Sequence, residues 1–192
     1  MAIPTLPTFS AGEILTSSVM NDVSTLGNYQ GLFHIKTQTI GSAVSSVTVT
    51  GAFSSDFDDY LVAVNTVVSA NQPNLGLRLG ATATSYAYAG SYQNFTGGAV
   101  TVDASTTATY WNIGACGNGT TGSGRVDFHA TVKSPQLAQQ SFYVVNNGSL
   151  AWTNFYTGYL NNTTQYTALT ILPSSGTITG GTVRVYGYRN SL

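Results

Sequence analysis

The chain has 192 residues, of which only 7% are Asp, Glu, Lys or Arg, and its formal net charge is −1; an ordinary soluble domain carries roughly 25% charged residues. This balance leaves no electrostatic footprint for nucleic acid. The single cysteine, Cys116, excludes an internal disulfide and with it a bridge-stapled secreted scaffold.

Polar duty falls instead on Ser, Thr, Asn and Gly, supported by 12 Tyr. A surface this poor in charge is weakly protected against self-association, which suits a protein working in a fixed assembly or one that meets sugars. The length fits one domain with a full core plus a small extra segment. The first residues, Met1-Ala-Ile-Pro-Thr-Leu-Pro-Thr8, lack the basic start and long apolar run of a signal peptide, and no apolar run approaches the ~20 residues that span a membrane. Folding in a cytoplasm, with no membrane insertion, is the expectation.

Residues 1–15 carry Pro4 and Pro7, which favour extended backbone before them, and read as an arm. Thr16 supplies an N-cap hydroxyl for a short helix. Val19, Val23 and Leu26 follow at spacings of four and three, with Met20 beside them, and Gly27 closes the segment. A helix below ~12–15 residues is marginal alone. This apolar face therefore needs a partner, and Ile14, Leu15, Val19, Met20, Val23 and Leu26 are the expected docking or assembly residues. Residues 1–31 form the predicted arm-and-helix segment, and residues 32–192 the β-domain.

Beyond Gly31 the pattern is that of strands. Leu32–Thr39 and Ser46–Thr50 are rich in β-branched and aromatic residues. Tyr60–Ser69 is nearly continuous apolar, as for a strand buried on both faces or central in a sandwich. Leu75–Leu79 and Arg125–Lys133 alternate; in the second, Val126, Phe128, Ala130 and Val132 face one way and Arg125, Asp127, His129 and Lys133 the other. Tyr86–Gln93, Thr109–Ala115, Ser141–Asn146, Trp152–Leu160, Tyr166–Leu172 and Thr182–Arg189 complete the set. Turns are expected at Gly97-Gly98, Asn118-Gly119, Asn147-Gly148 and Gly180-Gly181. About ten short strands so joined predict an all-β fold, an antiparallel β-sandwich of jelly-roll type preceded by the arm and helix.

Two segments resemble small virion proteins of tailed bacteriophages, the fibre and surface-appendage group. Ala11-Gly-Glu-Ile-Leu-Thr-Ser-Ser-Val-Met-Asn21 is similar to an Ala-Gly-Glu-hydrophobic-Leu-Thr-Ala start followed by a hydrophobic-Asn pair, with Ser17 and Ser18 in place of the more usual Ala. Thr179-Gly-Gly-Thr-Val-Arg-Val-Tyr-Gly187 is similar to the closing strand of phage fibre β-domains. Together they cover under a fifth of the chain. The resemblance implies a homotrimer, with the N-terminal part bound to other virion proteins and the β-domain facing outward, where host-surface glycan or protein is a further partner.

Residue-level candidates for chemistry have plainer alternatives. Asp56-Phe-Asp-Asp59 is the densest charge cluster, but it lacks the glycine and distal Glu of a calcium loop and reads as a solvated turn. His34 and His129 are too few and too separated for a metal set, and Cys116 reads as a small buried hydrophobe. A glycosidase needs two placed carboxyl groups. Glu13 belongs to the anchor, and nothing marks a pair among Asp56, Asp58, Asp59, Asp103 and Asp127. No catalytic residue, cofactor or metal is therefore expected.

Tyr86, Tyr88, Tyr92, Tyr110, Trp111, Trp152, Tyr156 and Tyr159 sit in or beside loop-rich stretches, where polar-edged aromatics stack on sugars or proteins. Half or more of them are expected in core or subunit packing. Asn-X-Ser/Thr sequons at Asn94, Asn118, Asn147, Asn161 and Asn162 read as a by-product of Asn/Thr-rich turns. The functional expectation is a non-enzymatic structural protein of a phage virion, a trimeric fibre or appendage. A capsid decoration or cement protein is the alternative, and a soluble lectin-like carbohydrate-binding module the next.

Overall fold

A computed structural model describes residues 31–68, 73–115, 125–149 and 152–188. The predicted helix and its residues Ile14, Leu15, Val19, Met20, Val23 and Leu26 lie outside the described residues, as do Cys116 and Asn118. Among the described residues there is no helix. Twelve strands follow one another: β1 (Leu32–Thr39), β2 (Val47–Thr50), β3 (Asp59–Val68), β4 (Asn74–Leu79), β5 (Tyr86–Asn94), β6 (Thr101–Ala108), β7 (Trp111–Ala115), β8 (Arg125–Lys133), β9 (Ser141–Ser149), β10 (Trp152–Leu160), β11 (Ala168–Pro173) and β12 (Ile178–Tyr188).

The strands make two antiparallel sheets that pack as a sandwich, one of eight strands in the order β1-β12-β3-β8-β9-β10-β5-β6 and one of four in the order β2-β11-β4-β7. The chain behaves as one long ribbon folded back on itself. β1 pairs with β12, β2 with β11, β3 with β8 and β4 with β7, and these couples alternate between the two sheets. Two further hairpins, β9–β10 and β5–β6, extend the larger sheet beyond β8.

The inward residues are those that alternation demands. Val62 and Val64 on β3, Val126, Phe128, Ala130 and Val132 on β8, and Val183 and Val185 on β12 meet Leu75, Leu77, Leu79, Leu169 and Ile171 of the smaller sheet, all buried. Of the two readings of β3, the central one holds, since it lies between β12 and β8, and burial on both faces is corrected. Its burial alternates, with Tyr60, Val62, Val64, Thr66 and Val68 inward, while Leu61, Ala63 and Asn65 are only half-buried and Val67 is exposed.

Turn expectations divide similarly. Gly97-Gly98 lies in the loop after β5, both residues at positive φ. Asn147-Gly148 is not a turn but the last part of β9, because Asn147 is buried and its side-chain amide donates to the Ile113 carbonyl at 3.1 Å. A sequon on such an inward Asn has no room for a glycan. Gly180-Gly181 likewise lies within β12, as a bulge where the register with β3 slips between Thr179 and Thr182. β6, unpredicted, is a Thr/Ser/Ala strand whose alternation is nearly silent. Tyr166 falls before β11 and is a buried loop residue whose hydroxyl meets Thr82 Oγ1 at 2.9 Å and the Asn162 amide at 2.8 Å.

Both bulge glycines have positive φ, +66° at Gly180 and +86° at Gly181. A Cβ at Gly180 would meet open space, whereas one at Gly181 would strike the Asn65 backbone carbonyl. Gly180→Ala should therefore cost only the left-handed strain of about 1–2 kcal/mol, a shift of roughly 2–8 °C in Tm. Gly181→Ala should lose clearly more, because the β12–β3 ladder must move as well; thermal unfolding of the two variants checks the ranking.

Candidate functional site

The eight-stranded sheet has one face on the sandwich core and one to the outside. Its outer face divides in two. On β9, β10, β5 and β6 the outward residues are Phe142, Val144 and Asn146, then Thr153, Phe155, Thr157 and Tyr159, then Ala87, Ala89 and Ser91, then Val102 and Ala104, and none is charged. Phe142 is 48% exposed, Phe155 51% and Val102 82%. The Phe142 and Tyr159 rings lie 6.2 Å apart and flank a shallow groove of about 420 Å³ floored by Ala87, Ala89 and Thr157. The exposed parts of these rings and valines amount to roughly 400 Å², at the size where a surface patch is usually functional.

The other half of the face, on β12, β3 and β8, collects charge. Arg184 lies opposite Ala63, and Ala63 opposite His129; one step along, Thr182 lies opposite Asn65, and Asn65 opposite Asp127. The Asn65 amide donates to Asp127, whose other oxygen accepts from Arg125 Nε at 2.8 Å. In a chain with 13 charged residues in all, Asp127 and Arg184 beside Ala63, with Arg125 further along paired to Asp127, are a local concentration. His129 stands exposed on the polar face that alternation predicts for it. His34, on β1, makes an edge contact with Tyr186 at 5.3 Å and a 2.8 Å hydrogen bond to Thr37.

The inner face of the β9-β10-β5-β6 extension gathers most of the aromatics singled out in the sequence. Among the described strands of the smaller sheet, β7 is the one that lies over it. Trp111 of β7 is fully buried, stacked on Tyr143 at 4.7 Å and edge-on to Tyr86 at 5.3 Å. Beyond it, Tyr88 packs edge-on to Tyr156 at 5.9 Å and Tyr92 on Trp152 at 5.3 Å. Asp103 sits among them, accepting from the Asn112 amide at 2.7 Å and from the Tyr156 hydroxyl at 3.4 Å. Gly90, opposite Asp103, is required because the Tyr156 ring lies directly over it. Tyr159 alone of this set points outward.

Burial raises the ionisation of these phenols, and for Tyr88 and Tyr156 the Asp103 carboxylate is the next cause. The Tyr88 hydroxyl is pushed up to about 12; those of Tyr86, Tyr143 and Tyr156 move the same way, burial leading in each. The cluster is thus mainly packing: the Tyr86, Tyr143 and Tyr156 hydroxyls are engaged, while the buried Trp111 indole N–H has no hydrogen-bond partner among the described residues. The remaining carboxylates are dispersed: Asp59 faces Lys133 at 3.8 Å and Asp56 meets the Ser54 hydroxyl at 3.4 Å. Among the described residues no three His, Cys, Asp or Glu converge as metal ligands, and no helix is long and apolar enough to cross a membrane. The polar depression around Ala63 had no signal in the sequence beyond the outward alternation of Arg125, Asp127 and His129. Its other members come from β3 and β12, which only the sheet order brings alongside. No protein-family model matches the chain, and no curated protein sequence matches it.

Raised phenol ionisation has a defined consequence for stability. Below pH 10 the phenols are protonated both folded and unfolded, so the contribution is fully present. As pH rises past the ordinary value of 10 the unfolded chain loses protons that the folded one keeps, and stability falls up to and through the folded value, about 12 for Tyr88. The unfolding midpoint should be flat to about pH 9.5 and then drop steeply. Absorbance at 295 nm should show Tyr86, Tyr88, Tyr143 and Tyr156 ionising only above the ordinary value of 10, together with unfolding. Ionisation of these four phenols near 10 in the folded protein would contradict this burial.

Proposed function

We propose that this chain is a non-enzymatic structural protein of a tailed-phage virion, assembled in the host cytoplasm as a homotrimeric fibre or surface appendage. Residues 1–31 dock on other virion proteins and the β-domain faces outward toward the host surface. The observation that carries this reading is the chargeless, half-apolar outer face of β9, β10, β5 and β6. On a freely diffusing monomer such a face invites aggregation. Turned toward a threefold axis and packed against two other copies it forms an interface core, with Thr, Ser and Asn as its rim. Roughly 400 Å² of apolar surface is about half of the ~800 Å² that each partner contributes to a stable contact, the rim supplying the rest.

Two further features support the proposal. The Thr179–Gly187 segment that resembles phage closing strands forms most of β12, the strand on which the ribbon closes. Without the two inserted hairpins, the couples β1/β12, β2/β11, β3/β8 and β4/β7 leave two sheets of four strands, and we read this as a jelly roll enlarged by β5–β6 and β9–β10. A capsid decoration protein would use the same face to clamp capsid subunits. Copy number separates the two, with hundreds per particle for decoration and at most a few dozen for an appendage.

Light scattering on the full chain should give three times the chain mass. Phe142→Asp with Phe155→Asp should return it to one chain while the unfolding midpoint, measured at matched concentration, still shows a cooperative fold. Deletion of residues 1–30 should abolish incorporation into particles. A strictly monomeric wild type that incorporates without those residues would sink the proposal.

A further inference from the structure

The depression around Ala63 has the chemistry of a carbohydrate site. It is about 370 Å³, floored by the Ala63 methyl and rimmed by Asn65, Asp127, His129, Thr182 and Arg184. Neighbouring strands lie about 4.8 Å apart, so Arg184 and His129, two strands removed, stand about 10 Å apart across the floor. A second hollow of about 290 Å³ adjoins it on the far side of Asp127, lined by Arg125, Asp127, Gly148 and Ser149. Gly148 lies opposite Asp127, and the space above its Cα is open. The Arg125–Asp127 pair is thus a low divider between two cups, each at or near the lower end of the size of small-molecule sites.

The charges in the two cups are not equivalent. Asp127 is satisfied on both oxygens, by Asn65 and Arg125. Among the described residues Arg184 has neither an ion-pair nor a hydrogen-bond partner. An unpaired guanidinium presents a planar fork of donors that fits a carboxylate with two parallel hydrogen bonds. Around it Asn65, Thr182, His129 and Asp127 offer donors and acceptors over the Ala63 floor.

We propose that this two-cup depression binds an acidic glycan. The carboxylate of one sugar lies on Arg184, its hydroxyls on Asn65, Thr182 and Asp127, and the neighbouring sugar occupies the cup over Gly148. The inference rests on the reading of the β-domain as outward-facing and names the ligand class it meets there. No bond is made or broken, and the site binds and positions only.

Isothermal titration of the full chain with 3′-sialyllactose, with digalacturonic acid and with lactose tests it. At least one acidic probe should bind with a single-site dissociation constant near the millimolar range, and lactose at least about tenfold more weakly. Arg184→Gln should remove that preference, Arg184→Lys should restore part of it, and Ala63→Leu should abolish binding by filling the floor. Raised salt should weaken the acidic probe alone. Each variant is also weighed by light scattering, so loss of assembly and loss of sugar binding are read separately. A trimer that ignores all three sugars, or an acidic-sugar affinity unchanged in Arg184→Gln, overturns the inference and leaves the virion proposal standing. A monomer that binds through Arg184 does the reverse.

Discussion

An eight-stranded sheet facing a four-stranded one cannot be covered by it, and the architecture depends on how that mismatch is met. Four strands of the larger sheet pair off with the smaller sheet as a closed sandwich. The other four reach past it, and among the described strands β7, the edge strand of the smaller sheet, is the one that extends over their inner face. Trp111 is the wedge. Its indole stacks on Tyr143, abuts Tyr86, and lets the β7 backbone approach closely enough for the Tyr143 hydroxyl to donate to the Asn112 carbonyl at 2.7 Å. Beyond Trp111 the inner face carries the Tyr88–Tyr156 and Tyr92–Trp152 pairs. A ring is a slab of apolar surface with one polar edge, so it can cover the strand beneath it and still satisfy a backbone group at its tip. Tyr86 accepts from the Leu79 N–H at 2.8 Å and Tyr60 accepts from the Ser54 N–H at 2.9 Å in the same way. The high tyrosine content follows from this use. These rings staple loops and cover the part of the larger sheet that the four described strands of the smaller one do not reach.

The outer face of the same sheet follows a different rule. With few charges available, their placement decides where water is held and where it is dispensed with. β8 and β12 carry charges outward, and β9, β10, β5 and β6 carry none. Such a division across one continuous sheet is not required for folding, since both halves bury equally regular inner faces. It is required if the two halves meet different surroundings, one a protein surface and the other solvent or a polar ligand.

The sequence made the strands legible where one face is buried and the other wet, as in Arg125–Lys133, whose alternation matches the observed inward and outward residues one for one. It misled where composition and environment diverge. Tyr60–Ser69 looked buried twice because its outward residues include Leu61, Ala63 and Val67; the outer face there is apolar in composition yet only partly covered. β6 was silent because Thr, Ser and Ala on both faces carry no period. Asn147-Gly148 and Gly180-Gly181 read as turns because local propensity cannot register a long-range amide-to-backbone bond or a strand bulge. The site was the least legible element. Arg184, Ala63 and His129 are distant in sequence, and only the sheet order β12-β3-β8 makes them neighbours.

Placing the apolar strip and the polar depression on one face has a consequence for binding strength. The row Arg184–Ala63–His129–Asn146–Phe155–Ser91–Val102 runs unbroken across seven strands, from the depression to the strip. Arg184 and Phe155 are thus four strand spacings apart, about 19 Å. In the proposed trimer, contact through the strip would hold three depressions in a fixed relation beside the interface and on the same aspect of the assembly. A single shallow cup over an alanine floor supports only weak affinity, since most of the ligand stays in water. Three cups meeting a repeating polysaccharide convert the second and third contacts into intramolecular events, raising the apparent affinity by orders of magnitude without any new interaction. A shallow site and a sticky neighbouring strip would each be poor devices in a monomer. Together on one face they describe a surface that gains its grip from assembly.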